Sequence, residues 1–312
     1  MRLTATLLCL CACLAVAPSV HADPVRLALS LEYAHALSYT IDQRFDLQTS
    51  LDMEEGRLAE SHHAADVRLS PRQIESDGSA TLTLSLDRVL IETTAGGETM
   101  FFGWNRDDPE SNDGNSPGDA ARAGALLVKS AITVEIDASG SVVKVSGLDE
   151  FIDEALSMGD TGPAFIGLFA PERLAATIEH ILKSDGSARD ALREVGSEWT
   201  TTEVHPIPTI GQAELLTQWT FDRMNDSAAA LTGLTEVSIH QRDDLLQTTP
   251  RVRVEDSQHR STVRWDIETG RLIERESEQS LTTVWTLGDQ AVTQSQSVTL
   301  SIKQREKPND AP

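Results

Sequence analysis

The sequence predicts an α+β protein that is mainly antiparallel β: a large twisted sheet or half-open barrel, with a helical block at about 148–195 packed on its concave face. Three observations carry this prediction. From Tyr39 the odd positions read Tyr39, Ile41, Gln43, Phe45, Leu47, Thr49, Leu51 and Met53, and the even positions between them are all polar. Alternation of that length describes a strand with one dry and one wet face, which belongs to an antiparallel sheet and not to a parallel sheet buried on both sides. The same rule returns at Ala65, Val67 and Leu69; at Leu82, Leu84 and Leu86; at Trp219 and Phe221; at Val237 and Ile239; at Val252 and Val254; at Val263, Trp265 and Ile267; and at Val298, Leu300 and Ile302. Helical spacing, by contrast, is concentrated in one block.

The N-terminus sets the compartment. Met1 and Arg2 form a short basic start, Leu3 to Ala17 is almost wholly apolar, and Val20-His21-Ala22 offers small residues at the −3 and −1 positions of a signal-peptidase site. Residues 1–22 are therefore expected to be a signal peptide, and the mature chain to begin at Asp23 in the periplasm or outside the cell. All three cysteines, Cys9, Cys11 and Cys13, lie in the removed segment, so the mature chain has no thiol chemistry and no disulfide. A minority alternative takes Leu10-Cys11-Ala12-Cys13 as a lipobox, with the protein lipid-anchored through Cys13. No later stretch approaches the roughly 20 apolar residues of a membrane helix.

Along the mature chain the expected organisation is an N-terminal sheet region (23–147), a helical block (148–196), a C-terminal sheet region (197–303) and a disordered tail (304–312). The odd positions Leu27, Leu29, Leu31 and Tyr33 suggest a first strand. The run 105–119 carries no apolar residue and reads as a flexible loop. Helices are expected at Leu148 to Leu156, at Pro171 to Lys183 and, shorter, at Ala188 to Val195. In the second, Pro171 and Glu172 suit the first turn, and Leu174, Ile178, Ile181 and Leu182 form one stripe. Thr133 to Val142 and Thr262 to Leu272 both read as strand, Asp-started turn with a glycine, and returning strand. The Asp77-Gly78…Arg88 strand, the Asp137…Gly140…Gly147 hairpin and the Asp266…Thr269-Gly270-Arg271-Leu272 hairpin, in this order behind a signal peptide, resemble an uncharacterised family of secreted, β-rich bacterial proteins. That resemblance spans nearly the whole mature chain and implies no catalytic residues.

Composition excludes several functions. With 26 Lys+Arg against 49 Asp+Glu the net charge is −23, the wrong sign for nucleic acid or anionic lipid surfaces. Aromatics at 4% are too sparse for a stacking platform. His62 and His63 with Asp66 form the best metal-like cluster, but neighbours on a strand face opposite ways, and both histidines are expected to be solvent-exposed. The acidic run from Asp107 to Gly114 misses the register of a calcium loop, and Asp160 in Gly159-Asp160-Thr161-Gly162 lacks the second carboxylate that an aspartic protease needs. No G-x-S-x-G or H-E-x-x-H motif is present. Arg251, Arg253, Arg260 and Arg264 are expected to pair across strands with Glu255, Asp256 and Glu268. No cofactor and no metal is implied.

The functional expectation is thus an exported, non-enzymatic protein. It would bind a lipid or other hydrophobic ligand, or an envelope protein partner, without spanning the membrane. A one-sided twisted sheet curls, and its apolar face needs cover. This architecture resembles the half-barrels of lipoprotein carriers. Any pocket would lie between Tyr39, Ile41, Phe45 and Leu47 of the sheet and Leu174, Ile178, Ile181 and Leu182 of the helix. Two alternatives are a purely structural envelope-associated protein with a self-filled core and, third, a hydrolase.

Overall fold

The computed structural model describes residues 24–31, 36–51, 54–108, 118–159, 162–184, 192–207, 210–225, 227–242, 249–288 and 290–305. In chain order the elements are β1 (Val25–Arg26), β2 (Leu37–Leu51), β3 (Glu54–Ile74), β4 (Ala80–Ala95), β5 (Glu98–Asn105), α1 (Gly118–Lys129), β6 (Ile132–Ile136), β7 (Val142–Ser146), α2 (Asp149–Ser157), α3 (Gly162–Ile166), α4 (Pro171–Leu182), β8 (Leu192–Arg193), β9 (Glu198–Ile207), β10 (Gly211–Asn225), β11 (Ala228–Gln241), β12 (Arg251–Asp266), β13 (Arg271–Leu287) and β14 (Gln290–Gln304). A single 3-10 turn, Gly167–Phe169, joins α3 to α4.

Twelve strands form one antiparallel sheet in the order β7-β6-β4-β3-β2-β14-β13-β12-β11-β10-β9, with β5 pairing the far half of β4. The sheet does not close into a barrel. Its edges are β7 and β9, and the remaining short strands, β1 and β8, pair only with each other. The first and last long strands are neighbours, running from Tyr39 opposite Gln304 to Leu51 opposite Val292. The expected α+β fold, a large antiparallel sheet with helices, is therefore the observed one.

Hairpin turns follow the sequence signals. Asp137 accepts from the backbone N–H groups of Ser139 and Ser141, and Asp266 from those of Glu268 and Thr269. Each aspartate thereby satisfies turn donors that have no ladder partner.

The strands share a concave face with two tiers. At the end marked by Leu37, Ala80, Ala228, Arg271 and Gln304, the inward rows are fully buried: Tyr39 and Ile41 of β2, Val67 and Leu69 of β3, Leu82 and Leu84 of β4, Phe221 of β10, Leu231 of β11, Val263 and Trp265 of β12, Leu272 of β13 and Ile302 of β14. The helices fill this tier. Phe151 of α2, Phe165 of α3 and Phe169 of the turn meet in an aromatic cluster with ring centroids 6.4 Å apart. All four stripe residues of α4, Leu174, Ile178, Ile181 and Leu182, are buried here. Toward the other end, the same rows become half-exposed at Gln43, Phe45 and Leu47 of β2, Gln279 of β13, and Gln296 and Val298 of β14.

α4 is anchored at both sides of the cup, lying against β7 and β13. The backbone N–H of Val142, where β7 begins, donates to Glu179 Oε1 at 2.7 Å. Arg275 of β13, 4% exposed, donates to Nδ1 of His180 at 2.8 Å, to the carbonyl of Lys183 at 3.0 Å and to that of Ser184 at 2.7 Å. A cation bonded just beyond the last turn also suits the negative end of the helix dipole. Outside the cup, Asp66 and Asp87 are buried beneath arginines from several segments. Arg88 meets Asp66 at 3.1 Å, Arg68 and Arg106 meet Asp87 at 3.0 and 2.9 Å, and Arg305 approaches both.

Several expectations need correction. Helices are not confined to one block, because α1 lies in the N-terminal part and contributes Ala120, Ala123 and Leu127 to the core. Its apolar side is built from alanine and glycine, which leave a faint periodic signal. Asn105 ends β5, and Gly118 and Asp119 open α1, so those ends of the expected 105–119 loop are ordered; 109–117 lies outside the described residues. The helix expected from Ala188 to Val195 is strand at Leu192–Arg193, paired with Val25–Arg26; 185–191 is not described. Leu27, Leu29 and Leu31 do not form a strand. They run without a ladder across the closed end, where Leu27 and Leu31 are buried, Ser30 N–H donates to the carbonyl of Gly270, and Ser184 Oγ donates to the carbonyl of Leu27. Tyr33 lies outside the described residues, as does the tail beyond Arg305. Gln304 and Arg305 are ordered, two residues into the segment expected to be disordered, because Arg305 reaches the two buried aspartates and its N–H bonds Ser38.

Trp265 sits at 0% exposure between Val263 and the final turn of β12. Trp265→Ala is expected to lower the unfolding free energy by about 3–5 kcal/mol. Chemical denaturation of wild type and variant measures it, and a loss below about 1 kcal/mol would contradict the packing described.

Candidate functional site

The half-exposed tier is where chemistry can meet solvent, and two adjoining cavities lie there. One, of about 300 Å³, is lined by Phe45, Ala59, Ile166, Gly167 and Ala170, with Ser61, His63 and Thr93 of the sheet. The other, of about 340 Å³, lies under α4 and is lined by Ala176, Thr177 and His180 of the helix and by His205, His259, Ser277, Gln279, Gln296 and Val298 of the sheet. Gln43, Phe45 and Arg173 border both, so the two adjoin at that point. The first is predominantly apolar, and the second is the more polar of the two, with polar and apolar groups in about equal share. Together they reach the size of an ordinary small-molecule site.

The residues expected to form an apolar pocket are distributed unevenly about this space. Phe45 lines both cavities. Tyr39 and Ile41 are buried deeper, where the Tyr39 hydroxyl donates to the carbonyl of Leu272 at 3.2 Å and burial pushes its pKa up. Leu47 is half-buried one step further toward the open end and lines neither cavity. Leu174, Ile178, Ile181 and Leu182 face the packed tier, and the gap meets the other side of α4 through Arg173, Ala176, Thr177 and His180. The gap between helix and sheet therefore exists, but the side of the helix bordering it is polar.

The polar cavity is an organised network. Arg275 donates to His180 Nδ1, so that nitrogen accepts and the neutral ring carries its proton on Nε2. Burial, with Arg275, His259 and Lys183 nearby, holds His180 well below the usual histidine range. His259 Nε2 lies 2.9 Å from Ser277 Oγ, which in turn contacts Ser261 Oγ at 2.7 Å. Burial also lowers the pKa of His259, with Glu203 acting in the opposite sense and Arg275 in the same one. Both rings are therefore neutral hydrogen-bonding groups at neutral pH. Glu203 is within 3.4 Å of His205 on the edge strand β9.

None of these polar lining groups was singled out from the sequence as a site residue. A signal was present: Gln43 interrupts the apolar row of β2, and Gln296 does so in β14. A polar residue on an otherwise apolar row marks where the inner face stops being core.

The other candidates resolve as follows. His62 and His63 do face opposite ways, with His62 Nε2 bonding Asp42 at 2.9 Å on the outside. His63 is not solvent-exposed as expected; it is 3% exposed and packs inward against the turn at Gly167. Asp66 serves Thr40 and Arg88 rather than a metal. Among the described residues no group of three or more His, Cys, Asp or Glu could hold a metal ion. Asp160 and residues 109–114 are outside the described residues. Arg253 pairs with Glu255 at 2.6 Å, but along the same strand β12 and not across strands as expected, whereas Arg264 does pair across strands, with Glu274 of β13 at 3.6 Å instead of Glu268, because the neighbouring strand presents that carboxylate in register.

No family model matches the chain and no curated protein matches it, so the resemblance to a secreted family rests on the turn and strand motifs alone. Solved structures similar to it include two Pseudomonas aeruginosa proteins. OccK5 (OpdH) is 9% identical, with 87% of this chain and 98% of that chain covered and a TM-score of 0.24. OpdQ is 8% identical, with 88% and 100% covered and a TM-score of 0.22. The translocator domain of the autotransporter NalP from Neisseria meningitidis is 9% identical, with 88% and 91% covered and a TM-score of 0.18. At such scores nothing is drawn from them. Among the described residues no helix is long and apolar enough to cross a membrane.

Two predictions follow from the packing and charge of this region. Gly167 has φ +41°, and a Cβ placed there would lie 1.8 Å from Cε1 of His63. Gly167→Ala should destabilise the protein by about 1–3 kcal/mol through overpacking, and adding His63→Ala should recover part of that loss, as read by thermal unfolding. For pH, unfolded His180 takes up a proton near its ordinary 6.5, whereas the folded ring resists it. The unfolded state then binds more protons, so the contribution is intact above about pH 6.5 and is lost progressively below it, until the folded ring also protonates. Unfolding free energy should therefore fall as the pH drops from about 6.5 toward about 5, and His180→Gln should flatten part of that slope.

Proposed function

We propose that the protein is an exported, non-enzymatic binding protein of the cell envelope. It seats a hydrophobic ligand in the adjoining cavities between α4 and the open end of the sheet. The observation that carries the reading is the pair of cavities meeting at Gln43, Phe45 and Arg173. The signal-like N-terminus supports export, and the acidic surface argues against docking on nucleic acid or anionic bilayers.

A second reading, a purely structural envelope protein, draws on the closed tier, which the protein's own side chains and helices fill. The two readings separate on a neutral hydrophobic dye such as N-phenyl-1-naphthylamine. The binding reading expects saturable one-to-one binding to the folded protein. Ala59→Trp, which fills the apolar cavity from β3, should weaken binding at least tenfold while leaving the melting temperature within a few degrees. Absent or non-saturable binding by the wild type favours the structural reading.

A further inference from the structure

The two cavities differ in chemistry, and the difference specifies the ligand more narrowly than "hydrophobic". The apolar cavity, with Phe45, Ala59, Ile166 and Ala170 on its walls, offers contacts suited to a hydrocarbon chain. Its volume of about 300 Å³ suits a segment of a single hydrocarbon chain. The polar cavity presents Thr177, Ser277, Gln279 and Gln296, together with the Nε2–H of His180 that Arg275 fixes as a donor. A bare hydrocarbon entering it would strip water from all of these groups without replacing their hydrogen bonds.

Charge supplies the sign. Arg173 projects from the first turns of α4 at the junction of the cavities and is in no ion pair among the described residues. The opposing carboxylates are peripheral. Glu60 borders the apolar cavity from an exposed position, away from His180 and the second cavity, and Glu203 is engaged with His205 on the edge strand. Donors and a guanidinium thus converge where head and tail would meet. An anion there gains charge-assisted hydrogen bonds that an alcohol or a cation cannot make.

We infer that the ligand is a single-chain amphiphile with an anionic head, its tail in the cavity beside Phe45 and Ala170, its head bonded by Arg173 and the Nε2–H of His180. The inference rests on the binding reading above and narrows it to a ligand class. A carboxylate and a phosphate share the chemistry, and the two are compared directly.

The experiment displaces the neutral dye with decanoate, decyl phosphate, decanol and decyltrimethylammonium, each below its micelle concentration, on the full-length mature protein. At least one anion should displace dye ten times or more better than decanol, and the ammonium should be the weakest. Which anion is better separates carboxylate from phosphate. Arg173→Gln should remove at least tenfold of the anion's advantage over decanol, and Arg173→Lys should retain part of it. Arg173 is exposed, so these variants are expected to fold. Equal displacement by anion and decanol, tighter binding of the ammonium, or an Arg173→Gln variant identical to wild type overturns the anionic head while the pocket stands. If the wild type binds neither dye nor any amphiphile, the binding reading falls and this inference falls with it.

Discussion

The anchoring of α4 by Arg275 is the interaction on which the rest of the cup depends. A half-open sheet of long strands cannot bury its apolar face by itself, so a helix must be held across the concavity. Arg275 does this from the middle of the sheet. It takes two backbone carbonyls at the C-terminal end of the helix and the ring of His180 one turn earlier, with its guanidinium 5.9 Å from the Trp219 ring. The opposite attachment, Val142 to Glu179, ties the same helix to the edge strand β7. With both in place, the apolar stripe of α4 is directed into the packed tier, and its polar side is left facing the gap. A buried guanidinium costs desolvation, which only hydrogen bonds of good geometry offset; that requirement makes the helix position specific rather than merely favourable.

From this follows the division of the concave face. Below α4 and the aromatic cluster of Phe151, Phe165 and Phe169, side chains interdigitate as in any core. Above them the strands continue beyond the reach of the helices. Residues on the same inward rows change from Ile, Val and Leu to Gln, Ser and His. A cup filled at one end and lined with polar groups at the other is an economical way to hold a shaped space open, since water can occupy the polar part when nothing else does.

Much of the fold was legible because period-2 alternation survives in single residues. Tyr39 and Ile41, Val263 and Trp265, and Leu300 and Ile302 all face inward as their spacing dictates, and the Asp-initiated turns fall where the sequence places them. What could not be read depended on long-range partners. α1 buries alanines, whose small side chains make a weak stripe. Leu27 to Leu31 alternates like a strand yet lies across strand ends, because no ladder partner is offered there. The candidate cleft was legible only as the existence of a gap between the helix at 171–182 and the sheet. Its polar lining comes mostly from β12, β13 and β14, which are hairpin neighbours of one another but meet α4 and β2 only through contacts distant in sequence. Nothing local to His180 indicates that Arg275, 95 positions later, will fix its tautomer.

The pairing of β14 with β2 has a consequence for how the molecule comes into being. Synthesis delivers β2 early and β14 last, yet Ile41 acquires its neighbour Ile302 only when the final strand docks. Until then β2 presents a long unpaired edge, a ready template for the wrong strand. Closing a loop of some 250 residues adds only a modest entropic cost, because that cost rises with the logarithm of length. It does, however, defer completion of the sheet to the end of the chain, as expected of folds dominated by distant contacts. The nascent chain therefore holds an incomplete sheet until β14 has been made. A truncation within β14 would remove the seam that joins the two halves, not merely shorten one edge.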